Sequence, residues 1–165
     1  MRRGGRTNLP QDVADQVTGK VLAAAQVRGG GWLVLSTSGL VLAGHPDSAD
    51  QQRPWHVVDR GEWSSDGNRI QVTWVDGQAP IDVELTRDDR EIAAVLREQV
   101  EHTLVHAEVE RLPGGGMLRG TIRRDSDGTL FSQVSIVGKV RRDEALAVRV
   151  RAMESRVRSQ VGLPA

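Results

Sequence analysis

Cysteine is absent from the 165 residues. That excludes disulfides, thiolate zinc sites, iron–sulfur clusters and cysteine nucleophiles together. Lysine stands only at Lys20 and Lys139, so 20 of the 22 basic residues are arginine; this is a compositional bias and carries no functional weight. No apolar run approaches the ~18 residues that a membrane span requires. The opening stretch MRRGGRTNLP is basic but lacks an apolar h-region, so it does not read as a secretory signal, and the expected compartment is the cytoplasm. With 38% hydrophobic and 27% charged residues, the chain reads as soluble and globular rather than disordered.

The motifs of common chemistry are missing as well. TGK at 18–20 and two triple-glycine stretches invite a phosphate-loop reading, but neither G-x-x-x-x-G-K-[ST] nor G-x-G-x-x-G occurs. RRDSDGT echoes a calcium loop, yet setting Gly128 at the loop glycine puts Arg123 first and Val134 twelfth, where a bidentate Glu belongs. His102 and His106 are four apart, without the Glu of the zincin pattern and without a third ligand. No nucleophile elbow is present. The sequence therefore assigns no catalytic residue, no cofactor ligand and no metal ligand. An enzyme and a small-molecule substrate are not expected.

What is present is alternation. Residues 1–9 read as a tail, and PQDVADQV as a short helical lead into a strand from about Lys20. WLVLSTSGLVLAG reads as a hairpin about Thr-Ser-Gly, and HPDSADQQ as a polar loop. In RPWHVVDRGEW the period of two places Trp55, Val57 and Trp63 on one face. SSDGN and DGQAP are turns between strands carrying Ile70, Val72, Trp74 and then Ile81, Val83, Leu85. All four tryptophans fall in this region and are expected in its core, where a fully covered ring contributes roughly 2–3 kcal/mol.

A helix over about 88–104 follows, with Thr86 and Asp89 as a capping box and Ile92, Val95, Leu96, Val100 and Leu104 as its apolar stripe. From Leu104 the period returns to two. If residues 113–116 form the next hairpin loop, Glu110 faces Arg119, His106 faces Arg123, Val109 faces Gly120 and Ala107 faces Ile122. After the DSDG turn and a strand, a last helix over about 142–161 carries Leu146, Val150, Met153, Val157 and Val161 on one stripe.

Charge is unevenly spread under a formal net of zero: residues 1–60 carry +2, residues 61–112 carry −7 and residues 113–165 carry +5. The basic excess concentrates on the last helix, where segment 141–158 has 6 basic and 3 acidic groups. Arg149 and Arg156 repeat at seven, as do Arg151 and Arg158. These four arginines are the candidate interaction residues, because such a face suits an anionic membrane surface or a nucleic-acid backbone.

The strand run from about 20 to 86, closed by the helix, resembles bacterial pleckstrin-homology-like (PH-like) domains. The segments KVLAAAQV, WLVLSTSGLVL, RPWHVVDRGEW and RIQVTWV are similar to those of an uncharacterised actinobacterial family of such proteins. The resemblance implies an α+β fold: a bent antiparallel β-barrel or sandwich over 20–104 capped by an amphipathic helix. Residues 1–19 read as a tail with a short helix; residues 105–165 lie beyond the likeness and read as a β-meander and C-terminal helix extension packed on the same core or mediating assembly. The resemblance also implies a non-enzymatic interaction or scaffolding module that binds a protein partner or itself. The alternative is peripheral binding to a membrane or nucleic acid through the last helix. The basic cluster that lipid-binding relatives carry between their first two strands is not reproduced, since QVRGGGW offers only Arg28.

Overall fold

The computed structural model describes residues 8–46 and 51–165. Part of the expected N-terminal tail and residues 47–50 of the expected polar loop thus lie outside the described residues. The fold is α+β, with three antiparallel three-stranded sheets, and the chain divides into two compact units, Met1–Glu101 and His102–Ala165. Among the described residues no helix is long and apolar enough to cross a membrane.

In the first unit a single helical turn, α1 (Gln11–Ala14), precedes β1 (Val21–Gln26), β2 (Trp32–Ser36) and β3 (Gly39–Ala43), which pair in that order. The runs WLVLS and GLVLA are apolar at consecutive positions, the pattern of strands covered on both faces. Leu33, Leu35, Leu40 and Leu42 enter the main core. The alternate residues Val34, Val41 and Ala43 join Ala24 and Val13 of α1 in a second cluster. The short helix is therefore a lid for the back of this sheet.

The second sheet contains β4 (Val58–Ser64), β5 (Arg69–Trp74) and β6 (Ile81–Glu84). Ile70, Val72, Trp74 and Val83 face the same core as the leucines of the first sheet. The helix α2 (Arg90–Thr103) adds Ile92 and Leu96 to it. The two sheets do not form a closed barrel. Isolated bridges join Val27 to Leu85, at the ends of β1 and β6, and Leu40 of β3 to Arg53 in the segment that leads to β4.

Two local expectations are corrected. Trp55 to Val57 form a 3-10 turn after Pro54 rather than a strand. The local period becomes three, so Val58 joins Trp55 in the core instead of Val57, and a register shift follows between Val58 and Arg60. Trp55 and Trp74 are buried, and Trp32 and Trp63 pack against the cores partly exposed. The buried indole N–H groups donate to Ser36 O at 2.8 Å and Ala79 O at 3.1 Å, which removes the cost of burying them unpaired. At α2, Thr86 does not cap: its amide still belongs to the strand link, donating to Gln26 O at 3.0 Å. Asp89 takes the capping role, its Oδ1 accepting from Ile92 N at 3.2 Å.

The second unit contains β7 (Leu104–Arg111), β8 (Met117–Arg124), β9 (Leu130–Val137) and α3 (Glu144–Gln160). Asp143 caps α3, accepting from Leu146 N at 2.9 Å. The expected stripe is seated: Leu146, Met153 and Val157 are buried with Leu118 and Ile122, while Val150 and Val161 pack at the margin.

The β7–β8 register is corrected by one residue. Arg111 pairs with Met117, and Leu112 N donates to Gly116 O at 3.0 Å, so the loop takes Leu112 as a fifth residue. Buried Leu112 belongs to the core cluster, and Gly114, Gly115 and Gly116 all take positive φ, which lets the chain reverse around it. A one-residue slip exchanges every facing pair. Glu110 meets Leu118, Glu108 meets Gly120, His106 meets Ile122 and Val109 meets Arg119. Arg123, expected on a wet face, is fully buried and donates to Thr103 Oγ1 at 2.9 Å.

The two long helices, α2 and α3, each seat over a strand glycine. A Cβ added to Gly61 would stand 2.7 Å from Leu96 Cδ2; one added to Gly120 would stand 2.7 Å from Met153 Cγ and 2.9 Å from Val157 Cγ1. Gly61→Ala and Gly120→Ala are each expected to destabilise by about 1–3 kcal/mol through overpacking. All four tryptophans precede residue 102, so urea unfolding followed by their fluorescence reads the first substitution. Amide hydrogen exchange in β7–β9 reads the second. Unchanged stability in both would show that the helices do not depend on these gaps.

Candidate interaction surface

The two arginines at a spacing of seven lie on one side of α3, two turns apart. In β7, Glu108 and Glu110 share a face at a spacing of two. Sheet and helix bring these sets together. Arg149 Nη1 lies 2.7 Å from Glu110 Oε1, Arg156 Nη2 lies 2.8 Å from Glu110 Oε2, and Arg156 Nε lies 3.4 Å from Glu108 Oε2. His106 Nε2 continues the row, 3.1 Å from Glu108 Oε1.

The electrostatics follow from these contacts. The hydrogen bond from His106, with that from Arg156, outweighs burial and holds the Glu108 carboxyl below the usual carboxylate range. Arg156 and then Arg149 do the same for Glu110. Arg156 is raised in turn, chiefly by its hydrogen bond to Glu110. The other two candidate arginines are not gathered with these. Arg151 pairs with Glu144 at 3.2 Å. Arg158 donates from Nε to Pro164 O and from Nη1 to Ser132 Oγ at 3.1 Å. The four arginines thus make contacts within the chain, and two of them neutralise a strand.

The opposite row of β7 is a surface that the sequence did not single out. Val105 and Val109 are 40% and 60% exposed, and Ala107 between them is also exposed. β7 is an edge strand with β8 as its one sheet neighbour. Among the described residues no backbone hydrogen bond reaches its outer side. Unpaired backbone groups beside an apolar row form a template for another strand. The available signal was the complementarity of glutamates at a spacing of two with arginines at a spacing of seven, which identifies the row that turns toward the helix.

The first unit carries a groove of about 570 Å³, with Leu40, Val57, Trp74, Pro80 and Ile81 among its apolar walls. Its charged groups are engaged locally: Arg53 lies 4.0 Å from the centre of the Trp74 ring and pairs with Asp76, and Asp82 pairs with Arg69 at 2.6 Å. Burial raises the Asp76 carboxyl, but the Gln78 amide and the Arg53 guanidinium together bring it below its ordinary value. No nucleophile–base pair converges there. Among the described residues no group of three or more His, Asp or Glu could hold a metal ion, and His102 and His106 are not joined in one.

Comparison with family models, curated proteins and solved structures found no match.

The depressed carboxyls fix a pH dependence. Their stabilising effect is complete above the unfolded glutamate value of about 4.3 and is lost as pH falls through the lower folded values. Because Arg149 and Arg156 are partly exposed, the row is worth about 1 kcal/mol or less per pair. Glu110→Gln is expected to flatten the loss of β7–β8 amide protection in acid and to lower protection slightly at neutral pH. An acid limb identical to that of the parent chain would remove Glu110 from the account.

Proposed function

We propose that this protein is a non-catalytic interaction module, with a PH-like first unit and a working surface on β7 of the second, that binds a protein partner or itself. The observation that carries the reading is the inverted strand: its acidic row is turned inward and neutralised, while Val105, Ala107 and Val109 stand outward on a free edge. A monomer with no use for that strip would be expected to place Lys or Glu there, as edge strands commonly do. The PH-like element of the reading is supported by two small sheets around one core with α2 packed into it. The charged residues of the groove, Arg53 and Asp82, are already paired with Asp76 and Arg69, which favours a scaffold over a reaction centre.

The anionic-surface alternative rests on Arg149, Arg151, Arg156 and Arg158. For Arg149 and Arg156 to meet phosphates they must leave Glu110 and Glu108, which weighs against it.

Light scattering of the whole chain, joined to pull-down from lysate, tests the proposal. A mass above that of one chain, or a retained partner, is expected. Val109→Lys, which adds a charge at an exposed site, should weaken either association by at least about tenfold and leave the circular dichroism unchanged. A strict monomer that retains nothing would end this reading.

A further inference from the structure

The sequence of β7 names its own partner. We infer that β7 pairs antiparallel with β7 of a second copy about a two-fold axis at Ala107, setting Val105 against Val109 and His106 against Glu108 of the second copy. This rests on the interaction reading above and specifies its occupant and register.

Residues 105–109 read Val-His-Ala-Glu-Val, a stretch that is symmetric in its apolar positions and complementary in its polar ones. Directly opposed residues of an antiparallel pair lie on the same face. With Ala107 on the axis, the outward row becomes Val–Ala–Val against Val–Ala–Val. The inward row becomes His106 against Glu108 of the second copy, twice, with Glu110 beside Leu104. No carboxylate opposes a carboxylate.

Neighbouring two-fold registers that keep the rows aligned are worse. With Glu108 on the axis, two carboxylates stand opposed; with His106 on it, two imidazoles do. Opposed carboxylates are destabilising, and the His106 axis sets Glu108 against Leu104 and forgoes both His106–Glu108 contacts, so the inward row favours the Ala107 register. The paired segment, 104–110, lies within β7, its regular part running from His106 onward after a register shift between Leu104 and His106, so no residue of α2 has to unwind to form it.

The charges also account for selectivity. Inward-pointing charges on an edge strand are a device against arbitrary strand pairing. Here Glu108 and Glu110 are matched within the chain by Arg156 and Arg149, and Glu108 also by its own His106 at 3.1 Å; pairing about Ala107 sets each His106 between two Glu108 carboxylates, its own and that of the second copy. A foreign apolar strand brings no such counterpart. The contact is isologous and closes at two copies, giving a six-stranded sheet in the order β9-β8-β7-β7-β8-β9.

The absence of cysteine makes the test clean. Three single-cysteine chains, Val105→Cys, Ala107→Cys and Val109→Cys, are compared with Val148→Cys, which replaces an exposed valine of α3. Under mild copper-phenanthroline oxidation, Ala107→Cys should cross-link to itself at least about tenfold faster than Val148→Cys, because disulfide closure requires Cβ atoms about 3.5–4.5 Å apart. Tagged Val105→Cys and untagged Val109→Cys should form the mixed disulfide in preference to either self-disulfide. Light scattering of the parent chain should show a concentration-dependent dimer.

A dimer in which Ala107→Cys gains nothing over Val148→Cys would overturn this register and leave self-association standing. A monomer at every concentration would overturn the pairing, and a partner still retained through Val109 would then keep the broader reading alive.

Discussion

The organisation of the second unit depends on which row of β8 meets α3. Leu118, Gly120 and Ile122 alternate along β8, and the leucine and isoleucine supply the two fully buried sheet residues of that core. Burying two such side chains is worth about 3–6 kcal/mol, more than any surface ion pair in the unit. Once this row is committed to the helix, the five-residue loop dictates the row of β7 that lies beside it. That row is His106, Glu108 and Glu110. The ion pairs are a consequence of this choice and do not drive it. Arg149 and Arg156 offset the desolvation of two carboxylates that the hydrophobic term has already drawn toward the helix.

The first unit solves the same packing problem with other means. Its first sheet is apolar on both faces, so one face needs the second sheet and α2 and the other needs α1. A four-residue helix has little stability of its own; Val13, with Leu9 and Val17, holds it by burial. In both units a long helix approaches its sheet where the strand has no Cβ, at Gly61 and at Gly120. Two glycines that look like ordinary weak points in strands are thus contact sites for a leucine and for a methionine–valine pair.

Much of this was legible from periodicity. The strand order, the hairpin at Thr37–Ser38, the turn ending at Asn68 and the stripe of α3 follow from alternation, turn chemistry and a 3.6-residue repeat, all local signals. The failures are of two kinds, local and long-range. Trp55 and Val58 share the core because a 3-10 turn after Pro54 changes the period from two to three over three residues. Thr86 matches a capping residue in type, but its amide is drawn into a long-range link with Gln26 that no local pattern reveals. The β7 register turned on whether Leu112 belonged to strand or loop. Since β7 alternates evenly between apolar and polar, that single residue decided which face was wet. Helical spacing gives the arginines of α3 a common face and does not give that face its neighbour.

An inverted edge strand has a physical consequence for the whole chain. Hydrophobic side chains left on a free edge cost little in the monomer, since valine exposed in the folded state was also exposed in the unfolded one. They are hazardous only if any extended segment can pair with them. In the proposed pairing the protection would lie on the opposite side of the same strand, where the His106–Glu108 row favours a partner with complementary charges. In the interaction proposed above, specificity and exposure are properties of one eight-residue element: its outward row would supply the driving force for association and its inward row would restrict what can associate. The arginines that looked like a binding surface for external anions keep that inward row ionised and in place. In the proposed interaction their part would be indirect, through the strand they neutralise.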